Sequence, residues 1–129
     1  LKSLLEQGLE FAELALKEFV TGETGNDIFE RAIKAAEEKG IQAMLYSHPI
    51  GYHCHEAGPI IGLFDRQERI PHRGEYEIID QSAYALEFNV KGHVPEWGHE
   101  TYMFLEQPIA VYDKAFFLAP MQSNFYLIH

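Results

Sequence analysis

Two runs decide the fold class: Ser82-Ala-Tyr-Ala-Leu-Glu-Phe-Asn-Val-Lys91 and Thr101-Tyr-Met-Phe-Leu-Glu-Gln-Pro-Ile-Ala-Val111. They are the clearest strands in the chain, dense in aromatic and aliphatic residues that suit a pleated, half-buried surface. Each holds one glutamate, Glu87 or Glu106, inside an otherwise apolar stretch. Glutamate is depleted in strands and is almost never fully buried without a partner. A buried carboxylate needs a nearby cation, or it must bind a proton. Lys91 is the only lysine or arginine between Arg73 and Lys114. A metal ion would answer both glutamates. The alternative is that each points to solvent from a sheet covered on one side, as strand alternation allows.

Upstream, the period changes. Residues 2–20 are expected to form a helix, with Leu5, Leu9, Ala12, Leu16 and Phe19 making one apolar stripe and Glu6, Glu10, Glu13 and Lys17 lying largely off it. Thr21-Gly-Glu-Thr-Gly25 is turn chemistry. Asp27 is placed to cap a second helix, with Glu30 as its reciprocal partner. Ile28, Ala32, Ala35 and Ala36 give that helix a buried side, and Gly40 stops it. Shorter strands are expected at Gln42–Ser47, Pro59–Phe64 and Phe125–Ile128, with an exposed loop over Asp65–Glu75. Two helices followed by mostly antiparallel strands make an α+β domain.

Between helices and strands lies His48-Pro-Ile-Gly51-Tyr-His53-Cys-His55-Glu56. Neutral imidazole is the commonest protein ligand for transition metals, and clustered His and Glu mark metal or catalytic sites. A turn at Gly51 would bring His48 and His55 to one cavity. His53 and His55 would share a face on an extended segment. Cys54 would then point away from both, which disfavours a thiolate activated by a neighbouring imidazole. His72, His93, His99 and His129 lack such context and are expected on the surface.

Composition bounds the functions. The 129 residues are 47% hydrophobic and 13% aromatic, enough for one packed core. The formal charge of −10 argues against a nucleic-acid partner. No run reaches the length of a membrane helix. A single cysteine, Cys54, excludes an internal disulfide framework and leaves the compartment open.

The motif His48-x-x-Gly51-x-x-x-His55-Glu56 resembles that of the pita-bread metallopeptidases, which include methionine aminopeptidase, Xaa-Pro aminopeptidase and prolidase, together with the non-peptidase creatinase. A strand bearing a glutamate follows, Ala85-Leu-Glu87, and then a second, Leu105-Glu-Gln-Pro-Ile-Ala-Val111, in the family's order. Thr21-Gly-Glu-Thr-Gly-Asn-Asp27 is similar to its turn before a helix. The Xaa-Pro peptidase branch is the nearest subgroup. Ser47 and Pro49 flank His48 where the family has a glycine-rich core, and Phe-Asn follows Glu87 where many members have Pro-Gly.

The resemblance implies two helices packed on a curved, mostly antiparallel sheet. His48, Glu87 and Glu106 would be metal ligands, with Glu87 also moving protons and Glu106 bridging two ions. His55, catalytic together with Glu87, would stay off the metal and hydrogen-bond the substrate or the tetrahedral intermediate. Glu100 is a rival for the last ligand role. Two divalent ions, among manganese, cobalt, iron and zinc, would share the hydroxide that cuts a peptide substrate. The family takes two further aspartates from strands upstream of the helices, whereas this chain starts at Leu1, already in a helical pattern. Asp27, Asp65, Asp80 and Asp113 stand in the wrong context to replace them. The expectation is therefore that residues 1–129 are the C-terminal half of a catalytic domain, a natural or trimmed fragment. Its site would be incomplete, it would be inactive alone, and it would be prone to self-associate or dimerise through uncovered sheet. Two alternatives remain: a non-catalytic peptide-binding module of the same fold, and a mononuclear cupin-like enzyme using His53 and His55.

Overall fold

The structure, a computed structural model, describes residues 1–128. Helix α1 spans Lys2–Leu16 and α2 spans Gly25–Glu38. They are followed by strands β1 (Gln42–Leu45), β2 (His48–Pro49), β3 (Ser82–Val94), β4 (His99–Tyr112) and β5 (Lys114–Phe117). All pairings among the five strands are antiparallel: β3 is central, with β1 and β2 on one side of it and β4 then β5 on the other. This is the expected α+β arrangement of two helices on an antiparallel sheet.

The period of two along β3 sorts its side chains. Tyr84, Leu86, Phe88 and Val90 are buried in the core with Phe11, Ala15, Phe19, Ile28 and Ala32 from the helical side. Phe11 meets Phe88 edge-on at 5.2 Å, and Phe19 meets Tyr84 at 5.6 Å. Directly paired residues lie on the same face, so Leu105 joins Phe88 and Ile109 joins Tyr84 against the helices. The intervening residues, Ala85, Glu87 and Asn89 of β3 with Tyr102, Phe104 and Glu106 of β4, belong to the opposite face.

Several boundaries depart from expectation. Helix α1 ends at Leu16, four residues early, and Phe19 enters the core from the turn beyond it. The cap of α2 is Thr24, not Asp27: the Thr24 Oγ1 accepts a hydrogen bond from the Asp27 N–H at 3.1 Å. Asp27 instead pairs with Arg69. Pro59–Phe64 forms only single bridges, Ser47 to Ile61 and Leu63 to Arg66. Phe125–Ile128 is not a strand, whereas Lys114–Phe117 is one. His72, His93 and His99 are exposed as expected, and His129 lies outside the described residues.

The Asp65–Glu75 loop is exposed at most positions, yet it is pinned at Ile70. Asn26 is 1% exposed. Its Nδ2 donates to the Ile70 carbonyl at 3.1 Å, and its Oδ1 accepts from the Ile70 N–H at 2.7 Å. One amide therefore satisfies both backbone groups of a residue 44 positions away. Asn26→Ala strands the Ile70 N–H, whereas the Ile70 carbonyl keeps its hydrogen bond from the Gly74 N–H at 3.2 Å. With about 1–3 kcal/mol expected for one unsatisfied buried group, urea denaturation should show a loss of roughly 1–3 kcal/mol. A loss of only a few tenths would mean that water replaces the amide.

Candidate functional site

The site is built on the sheet face opposite the helices. Strand β2 pairs with β3 so that His48 stands opposite Ala85, which places its side chain on the face of Glu87. The His48 Nε2 lies 3.5 Å from the Glu87 carboxylate. Its Nδ1 lies 2.9 Å from the Pro49 carbonyl. A carbonyl only accepts, so Nδ1 carries a proton. In the neutral ring, Nε2 then presents a lone pair to an anionic carboxylate. Two acceptors face each other across that gap, and a proton or a cation must lie between them for the contact to attract. Fixing the tautomer through Nδ1 is how metal-binding imidazoles are commonly oriented.

Glu87 is directly opposite Glu106 in the β3–β4 register. Like charges placed opposite each other on neighbouring strands repel. Glu87 is partly buried and Glu106 is exposed. The single nearby lysine does not help, because Lys91 bonds Glu100 at 2.6 Å. That bond holds the Glu100 carboxyl below its usual range.

The loop after β2 closes over this group. Gly51 is needed here, because a Cβ at this position would strike the Glu56 side chain folded back against it. Glu56 N–H donates to the Pro49 carbonyl at 3.1 Å. Cys54 adopts a φ of 73°, so 53–55 is a turn and not the extended segment expected. The turn brings His55 back onto His48, with the rings stacked at 3.9 Å and 12°. His53 goes elsewhere, edge-on against the exposed Tyr52 at 4.9 Å. The pairing of His53 with His55 required by the cupin alternative is absent.

His48, His55 and Glu87 are thus brought together, with Glu106 beside Glu87 on the next strand. They do not form a finished cage: among the described residues, no group of three or more His, Cys, Asp or Glu side chains is arranged to hold a metal ion. The aspartates do not join them. Asp27 pairs with Arg69, Asp80 accepts the Asp113 N–H, and Asp65 is exposed. By residue type, one imidazole and two carboxylates are donors that suit a divalent cation.

Sequence reasoning missed two neighbours. Asn89 is 1% exposed on the same face, two residues beyond Glu87, and its Oδ1 has no hydrogen-bond partner among the described residues. Its Nδ2 lies 3.5 Å from the Tyr46 hydroxyl. An asparagine inside an apolar strand, two steps from a glutamate, was the available signal. Burial pushes the Tyr46 phenol above its ordinary value of 10.0; the Asn89 hydrogen bond opposes the shift, and the Glu87 and Glu106 carboxylates add to it.

The chain matches no family model and no curated protein. Its architecture recurs among solved structures. An X-Pro aminopeptidase from Thermotoga maritima MSB8 superposes with a TM-score of 0.69 at 21% identity, covering 98% of this chain and 33% of that one. This is the pita-bread fold. A dipeptidase from Pyrococcus horikoshii OT3 superposes with a TM-score of 0.67 at 20% identity, covering 94% of this chain and 31% of that one. This chain thus spans about a third of the length of either pita-bread protein. The fold excludes the cupin alternative.

Tyr46 reports on the charges around it. A phenol pKa raised on folding contributes stability that is full below the ordinary tyrosine value and is lost as pH rises through the folded value. Glu87→Gln removes a neighbouring negative charge, so the Tyr46 ionisation seen by ultraviolet absorbance should move down, toward the ordinary value. Tyr46→Phe identifies the transition. An unmoved transition in Glu87→Gln would place the carboxylate away from the phenol.

Proposed function

We propose that this chain is part of a metal-dependent peptidase of the Xaa-Pro aminopeptidase type, contributing the C-terminal half of the catalytic domain. One observation carries the reading: His48, with Nδ1 held by the Pro49 carbonyl, aims Nε2 at Glu87 across a gap that a proton or a cation must fill. The pita-bread fold supports it by arranging these residues on one sheet face.

In this reading His48 would hold the metal through its imidazole, and Glu87 and Glu106 through their carboxylates. Two divalent ions, when bound, supply a nucleophile at neutral pH and polarise the scissile carbonyl. Glu87 accepts the proton released from the attacking water and passes it to the leaving amine. His55, held by its stack on His48, donates a hydrogen bond to the developing oxyanion. Ligands from outside this chain complete the site, so the chain alone is inactive. The substrate is a peptide with proline beside the scissile bond.

The test uses the longer parent protein. Chelation should abolish cleavage of Xaa-Pro peptides, and metal analysis should find two ions per site. Glu87→Gln should lower kcat/KM by roughly 10²–10⁴, the range for a positioned acid–base group. His48→Ala and Glu106→Ala should lose metal as well as activity. Full activity in both would reject the proposal. Peptide binding with neither metal nor turnover would favour the non-catalytic module of the same fold.

A further inference from the structure

Glu87 turns its backbone groups toward the strands that carry His48. Its carbonyl accepts the Tyr46 N–H at 3.0 Å. In a regular antiparallel ladder, two residues opposed in this way exchange both bonds, so the Glu87 N–H would donate to the Tyr46 carbonyl. That second bond is not made. The Ser47 Oγ accepts the Glu87 N–H instead, at 3.2 Å.

The break costs no residue. Leu45 stands opposite Phe88 and His48 opposite Ala85, so Tyr46 and Ser47 still match Leu86 and Glu87, two against two, without a bulge. The main chain of Ser47 is turned away from β3 and exchanges both bonds with Ile61, at 3.0 and 3.1 Å. Ser47 is 0% exposed. A buried hydroxyl therefore stands in for one ladder carbonyl, at the residue that bears the site carboxylate. Nothing outside residues 1–128 is needed for this contact.

We propose that Ser47 is a positioning residue of the cation site: it ties the backbone of Glu87 to the residue next to His48 and so sets the separation of carboxylate and imidazole. The 3.5 Å between the His48 Nε2 and the Glu87 carboxylate spans two strands. Ser47 is one peptide bond from the first residue and one hydrogen bond from the second. Without its hydroxyl, the Glu87 N–H is left unpaired inside the sheet, or it takes the Tyr46 carbonyl. A buried N–H is costly to leave unpaired, which favours the second outcome. Closing the ladder draws residues 46–48 toward β3 and moves the imidazole relative to the carboxylate. The inference rests on the reading of His48 and Glu87 as metal-holding residues.

The test titrates the longer parent protein with cobalt(II), following both its affinity and the visible absorption of the bound ion, which reports how the donors are arranged. Ser47→Ala should weaken cobalt(II) binding by roughly 10–100-fold, the range for residues that orient metal ligands, and should change the absorption band. Ser47→Thr, which keeps the hydroxyl, should restore both. Asn26→Ala, which strands a buried N–H far along the chain from the site, should bind cobalt(II) like the wild type. If Ser47→Ala fails to fold, Ser47→Cys keeps the bulk with only a weak acceptor and should show the same loss. Wild-type affinity and an unchanged band in a hydroxyl-free variant would overturn the inference and leave the peptidase reading standing. Equal losses in Ser47→Ala and Asn26→Ala would also overturn it, because the effect would then be general destabilisation. A wild-type parent that takes up no cobalt(II) would overturn the inference and the metal reading together.

Discussion

The two-residue period of β3 is the constraint on which the molecule rests. Its even-numbered residues, Tyr84, Leu86, Phe88 and Val90, are buried against the helices, and the core is built around them. That commitment fixes the register, because a slip of one residue would turn Glu87 and Asn89 into the core. The same commitment puts Glu87 on the opposite face, where β2 delivers His48 and β4 delivers Glu106. Core and site are two sides of one pleated strand.

The loop after β2 depends on that face and also shapes it. Gly51 lets Glu56 fold back, and the left-handed backbone at Cys54 returns His55 to His48. A β-branched or bulky residue at 54 would resist a positive φ. The stack therefore depends on backbone conformations set within the loop itself. Its orientation relative to Glu87 comes from the strand that carries His48. Tyr46 and Asn89 lie on that same face, where burial raises the Tyr46 phenol and the Glu87 and Glu106 carboxylates add to the shift.

Legibility followed the range of the interactions. Helix α2 could be read because its apolar positions and cap signals are local, although the cap moved from Asp27 to Thr24, another residue with an oxygen able to accept from an N–H. Strands β3 and β4 could be read because their composition is extreme. Pro59–Phe64 reads as a strand but is apolar for another reason: Ile60 and Ile61 are buried, Ile61 in the main core, and a single bridge to Ser47 holds Ile61. Lys114–Phe117 was missed because four residues carry too little pattern, and its pairing with β4 is what makes it a strand.

The sequence by itself determined the two helices ahead of the sheet, the two glutamate-bearing strands and the grouping of imidazoles around Gly51, because each is a matter of period, composition or spacing along the chain. Tertiary structure decided the rest. It separated His53 from His55, matched Glu100 to Lys91, set Glu87 against Glu106 and left Asn89 with an unpaired oxygen. Each of these depends on which residue of a distant strand falls opposite which, and that register is fixed by packing the shared core rather than by any local pattern.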